Sequence, residues 1–511
     1  MNWLVTAAQM KQIDQVSIKA VGIPSVVLME RAALAVTERA LHFLKKQPQV
    51  AISVVVGTGN NGADGLAVAR MLAEHGYAPR AYYLGNPERA TEEWRLQASI
   101  LEKLKIPLLP VSEGFLAEYD KKKGDALIID AIFGIGLARA VEGVYRQTIE
   151  VINARSAYVI SVDVPSGIDT DTGAVWGTAV RADETVTFGF SKIGCVLYPG
   201  AAYAGKVTVA QIGFAPMAAA MAGLSVFTMS ESDVRLPQRR RDSNKGTFGR
   251  VLLVAGQKNM AGAACFAAKA ILATGAGLVR ILTREENRPI VQTLVPEAVL
   301  TTWEEVPSEE EIAEMTAWAD VIAIGPGLGC GEESALLLER ILKRRTEGMV
   351  LDADALNLLA QHETLRQMLW SSDILTPHMG ELARLLGSSI SELKKDLIRT
   401  AKEAAGSFGA ICVCKDAVTV IAEPSGRVFV NTTGNEGMAT GGSGDVLTGV
   451  IAGMLAAGAE KVRAAEWGVY LHGAAGDAAK KRYGSRSMGP QQIIEGLEEI
   501  IKAQDDAQDK E

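Results

Sequence analysis

The stretch Val54–Arg70, VVVGTGNNGADGLAVAR, decides how the first half of the chain folds. A run of valines leads into a turn holding Gly57, Gly59 and Gly62, after which the apolar Leu66, Val68 and Ala69 fall at helical spacing. That order predicts strand, tight turn and helix start, because glycine reaches dihedrals closed to other residues and a period near 3.6 buries one helix face. A helix N-terminus presents unpaired amides and the positive end of a dipole, so the turn suits an anion, and a dinucleotide is the first ligand to expect. Asn60, Asn61 and Asp64 add a cluster of side-chain oxygens that a bare turn does not need. The dehydrogenase form of the loop places an acid about 20 residues further on, at the end of the next strand. Here that strand reads Ala81-Tyr82-Tyr83-Leu84-Gly85 and the first acid after it is Glu88, so the loop stands outside the ordinary dehydrogenases.

Outward from this stretch, short β-branched runs recur at 52–56, 81–84, 126–129 and 158–162 with helical sequence between them. The alternation predicts a parallel sheet with helices on both faces. Its strands end in GTGNNGAD, GNPE, DAIFGIG and VDVPSGID, at the edge where open parallel sheets bind ligands. Ahead of it, Met10, Ile13, Val16 and Ile18, then Val26 to Val36, predict helices interrupted at Gly22-Ile23-Pro24. The rhythm restarts at Arg250–Ala255 (RVLLVA), followed by Gly256 and an alanine-rich helix from Ala261. A chain of 511 residues exceeds one hydrophobic core. Two α/β domains are therefore expected, 1–220 with a Rossmann-like three-layer α/β/α sheet and 225–505 with a second α/β/α sheet, the boundary falling between Phe214 and Lys245.

Composition narrows the function. A net charge of -8 argues against general nucleic-acid binding, which needs a basic face. The one basic cluster, Arg239, Arg240, Arg241 and Lys245, reads as a solvated linker or as a phosphate clamp at a domain edge. No basic-then-apolar leader opens the chain, and the apolar run Phe214–Phe227 is shorter than the ~20 residues that span a bilayer. Cys195, Cys265, Cys330, Cys412 and Cys414 form no CxxC and no metal spacing. A cytoplasmic protein with no membrane and no nucleic-acid partner is expected, and a homo-oligomer. The acidic end, Ala503–Glu511, reads as a solvated extension.

Two clusters carry the chemistry. At the first sheet edge stand Asn61 and Asp64, Asp130 with Gly134 and Gly136, and Asp163 with Ser166 and Gly167. Oxygen donors without histidine or cysteine suit a hard cation, potassium or a divalent ion; turn capping is the competing account of Asp130 and Asp163. The second cluster is Gly434–Asp445, GNEGMATGGSGD, followed by VLTGVIAGMLAAG. Its glycine amides can form an anion nest at a helix start, with Asp445 placed to take a proton from a hydroxyl attacking a phosphoryl group. A glycine-rich helix cap is the alternative.

The motifs GTGNNGADGLAVAR, IIDAIFGIGLARAVEG, SVDVPSGIDTDTG and TFGFSKIGCVLYPG resemble those of the NAD(P)H-hydrate epimerase family, over nearly all of the first 215 residues. The resemblance implies that Asn60, Asn61, Gly62, Ala63 and Asp64, the loop Gly134, Ile135, Gly136, Leu137, Ala138, Arg139 and Ala140, and Tyr145 and Asp163 hold hydrated NAD(P)H, while Asn61, Asp130 and Ser166 bind potassium. Two departures from the family pattern are Ala63, where glycine is usual, and Arg31 and Ala33 in LMERAA, where an ENAG-like sequence is commoner. Loss of the ring hydroxyl leaves a cation stabilised by the ring nitrogen, and water returning to the other face inverts the centre. Asp163 is the first choice as general acid/base and Asp64 the second.

From about residue 245 to 500, KGTFGRVLLVAG, IGPGLG, LDADALNLL, LTPHMGELARLLG and NEGMATGGSGDVLTG are similar to the ADP-dependent NAD(P)H-hydrate dehydratases, a ribokinase-like family. The similarity implies that Ala263, Gly327, His378 and Asp445 contact the hydrated cofactor and that Lys415, Asp416, Ala417, Val418 and Thr419, with Gly444, hold the adenine nucleotide. In that family ADP phosphorylates the ring hydroxyl, AMP is released, and phosphate then departs. Asp445 would be the base, magnesium would assist, and ADP would be co-substrate with hydrated NADH or NADPH. A lone histidine after Thr376-Pro377 also fits a structural strand end. The whole chain thus resembles the bifunctional NAD(P)H-hydrate repair enzymes. Two rivals are a vitamin or sugar kinase behind a nucleotide sensor, and a first half that only binds a partner protein; the oxygen set Asn61, Asp130, Asp163 and Ser166 argues against the latter.

Overall fold

The computed structural model describes residues 1–48, 50–112, 125–239 and 242–508. The chain divides into two compact units, Asn2–Leu224 and the residues from Ser225 onward. Both are α/β. Arg240 and Arg241 of the basic cluster and residues 509–511 of the acidic end lie outside the described residues.

In the first unit seven strands form one sheet in the spatial order Leu108–Pro110, Arg80–Tyr83, Ala51–Val56, Asp125–Ala131, Tyr158–Val162, Glu184–Phe188, Lys206–Ala210. All neighbours are parallel. From Ala51–Val56 the chain proceeds outward in one direction, and from Asp125–Ala131 in the other. The sheet therefore has its topological switch point between these two central strands, where a crevice opens at their carboxyl ends. Both turns at that point, after Val56 and after Ala131, belong to the motifs singled out above.

Local packing explains the glycines. The helix Asn60–Glu74 starts on an extended Gly59 with no side-chain cap, which leaves its first amides available. A Cβ on Gly62 would stand 1.9 Å from the Gly57 carbonyl oxygen, so only glycine lets this helix sit so close to the turn. The leading segment forms Ala7–Gln15, a π-helical turn Val16–Ala20 and, after Pro24, the helix Ser25–Leu44. Leu28, Ala32, Val36 and Ala40 from this last helix bury against Val54, Ile129 and Ile160 of the sheet. At roughly 25 cal/mol per Å² of apolar surface removed from water, that face anchors the helix more strongly than its propensity does.

In the second unit the strands Val299–Trp303, Leu278–Arg284, Arg250–Val254, Val321–Ile324, Met349–Leu351, Ile374–Leu375 and Ile411–Cys414 are parallel neighbours in that order. Val420–Ala422 and Val428–Val430 continue it antiparallel. The helices Ala261–Thr274 and Ser443–Ala456 pack tightly, since a Cβ on Gly449 would stand 2.4 Å from the Ala267 carbonyl oxygen and one on Gly453 2.5 Å from Thr274 Cβ. This contact accounts for the glycines in VLTGVIAGM. The expected solvated extension from Ala503 is corrected: the helix Pro490–Gln508 runs through it and Gln504 is buried. The apolar stripe Ile493, Ile494, Leu497, Ile501 anchors the helix ahead of this tail, which continues it. Among the described residues no helix is long and apolar enough to cross a membrane.

Candidate functional site

At the switch point of the first unit lies a cavity of about 830 Å³. It is lined by Asn60, Asn61, Ala63 and Asp64 from the helix start, by residues 134–139 from the turn after Ala131, and by Tyr145 and Asp163. Gly62 and Ala140 do not line it; Gly62 serves the helix approach. Tyr145 packs on Phe133, ring centroids 5.1 Å apart, and its hydroxyl lies 2.9 Å from where a Cβ on Gly85 would stand. A tyrosine thus occupies the strand end that holds an acid in dehydrogenases.

Asp163 follows the strand Tyr158–Val162 in the left-handed region, φ 67°, with the Val164 amide donating back to the Val162 carbonyl at 2.9 Å. Lys192 Nζ donates to Asp163 Oδ1 at 2.5 Å, and the Thr187 hydroxyl and Phe188 amide donate to the same oxygen at 3.2 and 3.3 Å. Oδ2 has no hydrogen-bond partner among the described residues. Asp64 faces the same cavity. Burial, then the negative charges of Asp163, Asp14 and Glu93, push its carboxyl well above the usual range. The cavity therefore joins an aspartate tied to a lysine with a second carboxyl whose affinity for a proton is raised.

The three residues assigned to a cation form a layer beside this cavity. Asp130 is fully buried; its Oδ2 accepts from Ser161 Oγ at 2.8 Å and from the Ser166 amide at 2.9 Å, its Oδ1 from Ser166 Oγ at 2.6 Å and the Ile132 amide at 3.3 Å. Ser166 Oγ also accepts from the Phe133 amide at 2.9 Å, and Asn61 Nδ2 donates to the Phe133 carbonyl at 3.0 Å. The geometry brings Asp130 and Ser166 into direct contact and links Asn61 to them through Phe133. Burial raises the Asp130 carboxyl and these hydrogen bonds oppose the rise. Among the described residues no group of three His, Cys, Asp or Glu side chains is arranged to hold a metal.

In the second unit Asp445 stands in the first turn of Ser443–Ala456, behind Gly442 in the left-handed conformation. Its carboxyl is pushed up to about 7 by burial first, then by the negative charge of Asp352, with Lys415 opposing. Asp352, itself buried, accepts from Lys415 Nζ and Thr376 Oγ1, each at 2.7 Å, and from Thr448 Oγ1 at 2.8 Å. A Cβ on Gly444 would stand 3.4 Å from Lys415 Nζ, which places Gly444, Lys415 and Asp445 together. Asp416 instead pairs with Lys394 at 2.8 Å, and Ala417–Thr419 form the turn before Val420–Ala422. Ala263 and Gly327 are neighbours: a Cβ on Gly327 would lie 3.1 Å from Ala263 Cβ. His378 caps the helix Met379–Leu386, Nδ1 accepting from the Gly380 amide at 3.0 Å and the Glu381 amide at 3.4 Å. Burial, Lys415 and Arg384 lower its pKa, so the neutral ring carries its proton on Nε2, 3.3 Å from Glu381 Oε1. The loop opening the glycine run is held by Asp477, which accepts from the Gly434 amide and from Asn435 Nδ2, both at 2.9 Å.

Lys192, Asp352 and Asp477 are side chains that motif reading missed. Lys192 and Asp352 stand in TFGFSKIG and LDADALNLL, motifs already quoted, where charge among apolar residues was the available signal. Asp477 lies inside a helical pattern and gave none.

Two parallel-sheet units, each with carboxyl groups and an uncapped helix start at the carboxyl edge of its sheet, define a two-domain α/β enzyme. Residues 251–499 match the NAD(P)H-hydrate dehydratase family model and residues 25–194 the model for YjeF-related protein N-termini. The bifunctional NAD(P)H-hydrate repair enzyme of Moorella thermoacetica is 37% identical over 98% of this chain and 97% of its own, and that of Thermofilum pendens 36% over 97% and 95%. The solved ADP/ATP-dependent NAD(P)H-hydrate dehydratase of Bacillus subtilis, co-crystallised with ATP and Mg2+, is 33% identical, covers 54% of this chain and 97% of its own, and superposes with a TM-score of 0.48. The chain belongs to the family of bifunctional NAD(P)H-hydrate repair enzymes.

Proposed function

We propose that this chain repairs hydrated NADH and NADPH, the first unit interconverting the R and S hydrates and the second dehydrating the S hydrate at the expense of ADP, with release of AMP and phosphate. The observation that carries the first activity is the meeting of Asp163 and Asp64 in one dinucleotide-sized cavity at the switch point. Asp64, protonated, can give its proton to the departing ring hydroxyl. Asp163 Oδ2, unpartnered, can take a proton from the incoming water. Sharing the two proton transfers between two carboxyls suits an inversion.

In the second unit Asp445 takes the proton of the ring hydroxyl as it attacks the phosphoryl group of ADP, and the amides around Gly444 receive the developing charge. Ala263, Gly327 and His378 bind the hydrate, and Lys415–Thr419 the adenine nucleotide. The first site's donors are all oxygen, which fits potassium: Asn61, Asp130 and Ser166 would hold it, and it would screen the neighbouring carboxylates from a phosphate-bearing ligand. Magnesium takes most of its ligands from water and substrate phosphates, so it fits the second site without a dedicated cage of carboxylates. The five free thiols suit a reducing compartment, the cytoplasm.

Incubating the full chain with each epimer of hydrated NADH, with and without ADP, and following the return of reduced-nicotinamide absorbance tests the reading. The R epimer should recover only through the S form and only with ADP. A stably phosphorylated product that never yields NADH would replace the dehydratase with a kinase.

A further inference from the structure

We infer that Lys192 is a positioning residue for epimerisation: it anchors one oxygen of Asp163 so that the other faces the cavity as a carboxylate. This rests on the epimerase reading of the first unit.

The side chain of Lys192 is fully buried at the edge of the cavity. Its Nζ donates to Asp163 Oδ1 at 2.5 Å, Thr187 Oγ1 at 2.9 Å and the Phe188 carbonyl at 3.0 Å. An ammonium has three donors and no acceptor, so nothing remains to hold a substrate phosphate or hydroxyl. Any effect of Lys192 on the reaction must pass through Asp163. The backbone on both sides is fixed: Lys192 pairs with Val5 in a short parallel bridge, and Asp163 is held at φ 67°. A non-glycine residue in that conformation is strained and persists only where its surroundings over-determine it. Burying an ammonium is unfavourable unless it is paired and fully hydrogen-bonded. Two unfavourable features that meet at one carboxylate oxygen, with its twin left free over a cavity, describe an oriented reactive group better than a stabilising ion pair.

The test uses the full chain. Lys192→Ala should lower kcat for interconversion of hydrated NADH epimers by about 100-fold or more while the substrate Kd changes less than about threefold, because a general base is disoriented and no ligand contact is lost. Methylammonium, which restores three N–H donors through the cavity, should recover about tenfold of the lost rate in proportion to its concentration, and tetramethylammonium, which has none, should recover nothing. A kcat close to wild type, a Kd weakened in step with kcat, or a folded variant that no amine rescues would each overturn the assignment. Near-UV circular dichroism and the ADP-dependent activity of the second unit report folding. If Lys192→Ala does not fold, Lys192→Gln is read in the same way, and failure of both to fold makes Lys192 a fold residue and ends the proposal. A wild type that does not interconvert the epimers defeats the epimerase reading itself, a different outcome from a working wild type with an unaffected variant.

Discussion

The carboxyl of Asp445, lifted from 3.8 to about 7, makes the pH dependence of the second activity a direct test of its role. Only the ionised form can accept the hydroxyl proton, and with this pKa it is about a tenth of the population at about pH 6 and nine tenths at about pH 8. The kcat/KM for ADP-dependent dehydration should therefore fall about tenfold between those values, and Asp445→Asn should remove both the limb and about 100-fold or more of the rate. Asp352→Asn should move the limb to lower pH, since it deletes the nearest negative charge and leaves Lys415 unpaired beside Asp445. Stability carries the same shift with a definite sign. A carboxyl whose folded pKa is raised binds its proton more tightly in the native state, so its contribution is fully present below the unfolded value and is lost as pH rises toward the folded one. At about 1.4 kcal/mol per pKa unit, Asp445→Asn should gain on the wild type by about 2–3 kcal/mol between about pH 5 and pH 8, seen in urea unfolding of the two proteins. A rate independent of pH across this range, or an asparagine variant that gains nothing, would refute the assignment of Asp445 as a buried base.

Asp130→Ala strands the Ser166 amide and two serine hydroxyls in the interior and should cost about 3–5 kcal/mol of first-unit stability, whereas Asp130→Asn keeps the shape and should cost less. If Asp130 also serves a cation, calorimetry with hydrated NADPH should find wild type binding more tightly in potassium than in a bulky organic cation and Asp130→Asn insensitive to the exchange; equal affinities in all four combinations leave it a turn residue. Residues 1–224 alone should fold and interconvert the epimers without nucleotide, since the cavity is built wholly within the first unit, and a folded fragment no faster than background would contradict this. Asp477→Ala releases the Gly434 amide and the Asn435 side chain, so second-site ligand binding should weaken by about 1–3 kcal/mol with epimerisation untouched; an unchanged KM for both dehydratase substrates would show that the loop does not need this anchor.

Much of this was legible before any coordinates. The valine run and the period-3.6 pattern around Val54–Arg70 place the central strand and helix within a residue or two, and glycine turns at successive strand ends mark the sheet edge. The motif GGSGD announces a helix start with an acid in its first turn, and the helix Ser443–Ala456 begins there. What was not legible depends on side chains that meet only in three dimensions. Lys192 and Asp163 are 29 residues apart and Lys415 and Asp352 63 residues apart, and no local spacing declares such pairs. The acidic end was misread for a related reason: its own composition is polar, and the apolar residues that anchor its helix, Ile493, Ile494 and Leu497, lie ahead of it.

The two sites treat their carboxyl groups in opposite ways, and the difference follows the chemistry each must perform. Epimerisation needs one group that gives up a proton and another that accepts one in the same cavity. Burial among like charges keeps the proton on Asp64, and the buried ammonium of Lys192 occupies one oxygen of Asp163 and leaves the other open. Phosphoryl transfer instead needs one group that takes a proton and holds it while charge builds on the phosphate. There the lysine pairs with Asp352 rather than with Asp445, so the working carboxyl keeps an affinity for protons near neutrality. Moving the cation by one partner separates a carboxyl held in place by one of its oxygens from one left to take up a proton. The placement of Lys192 and Lys415, more than the presence of aspartates at two sheet edges, therefore sets which proton transfers each unit can support.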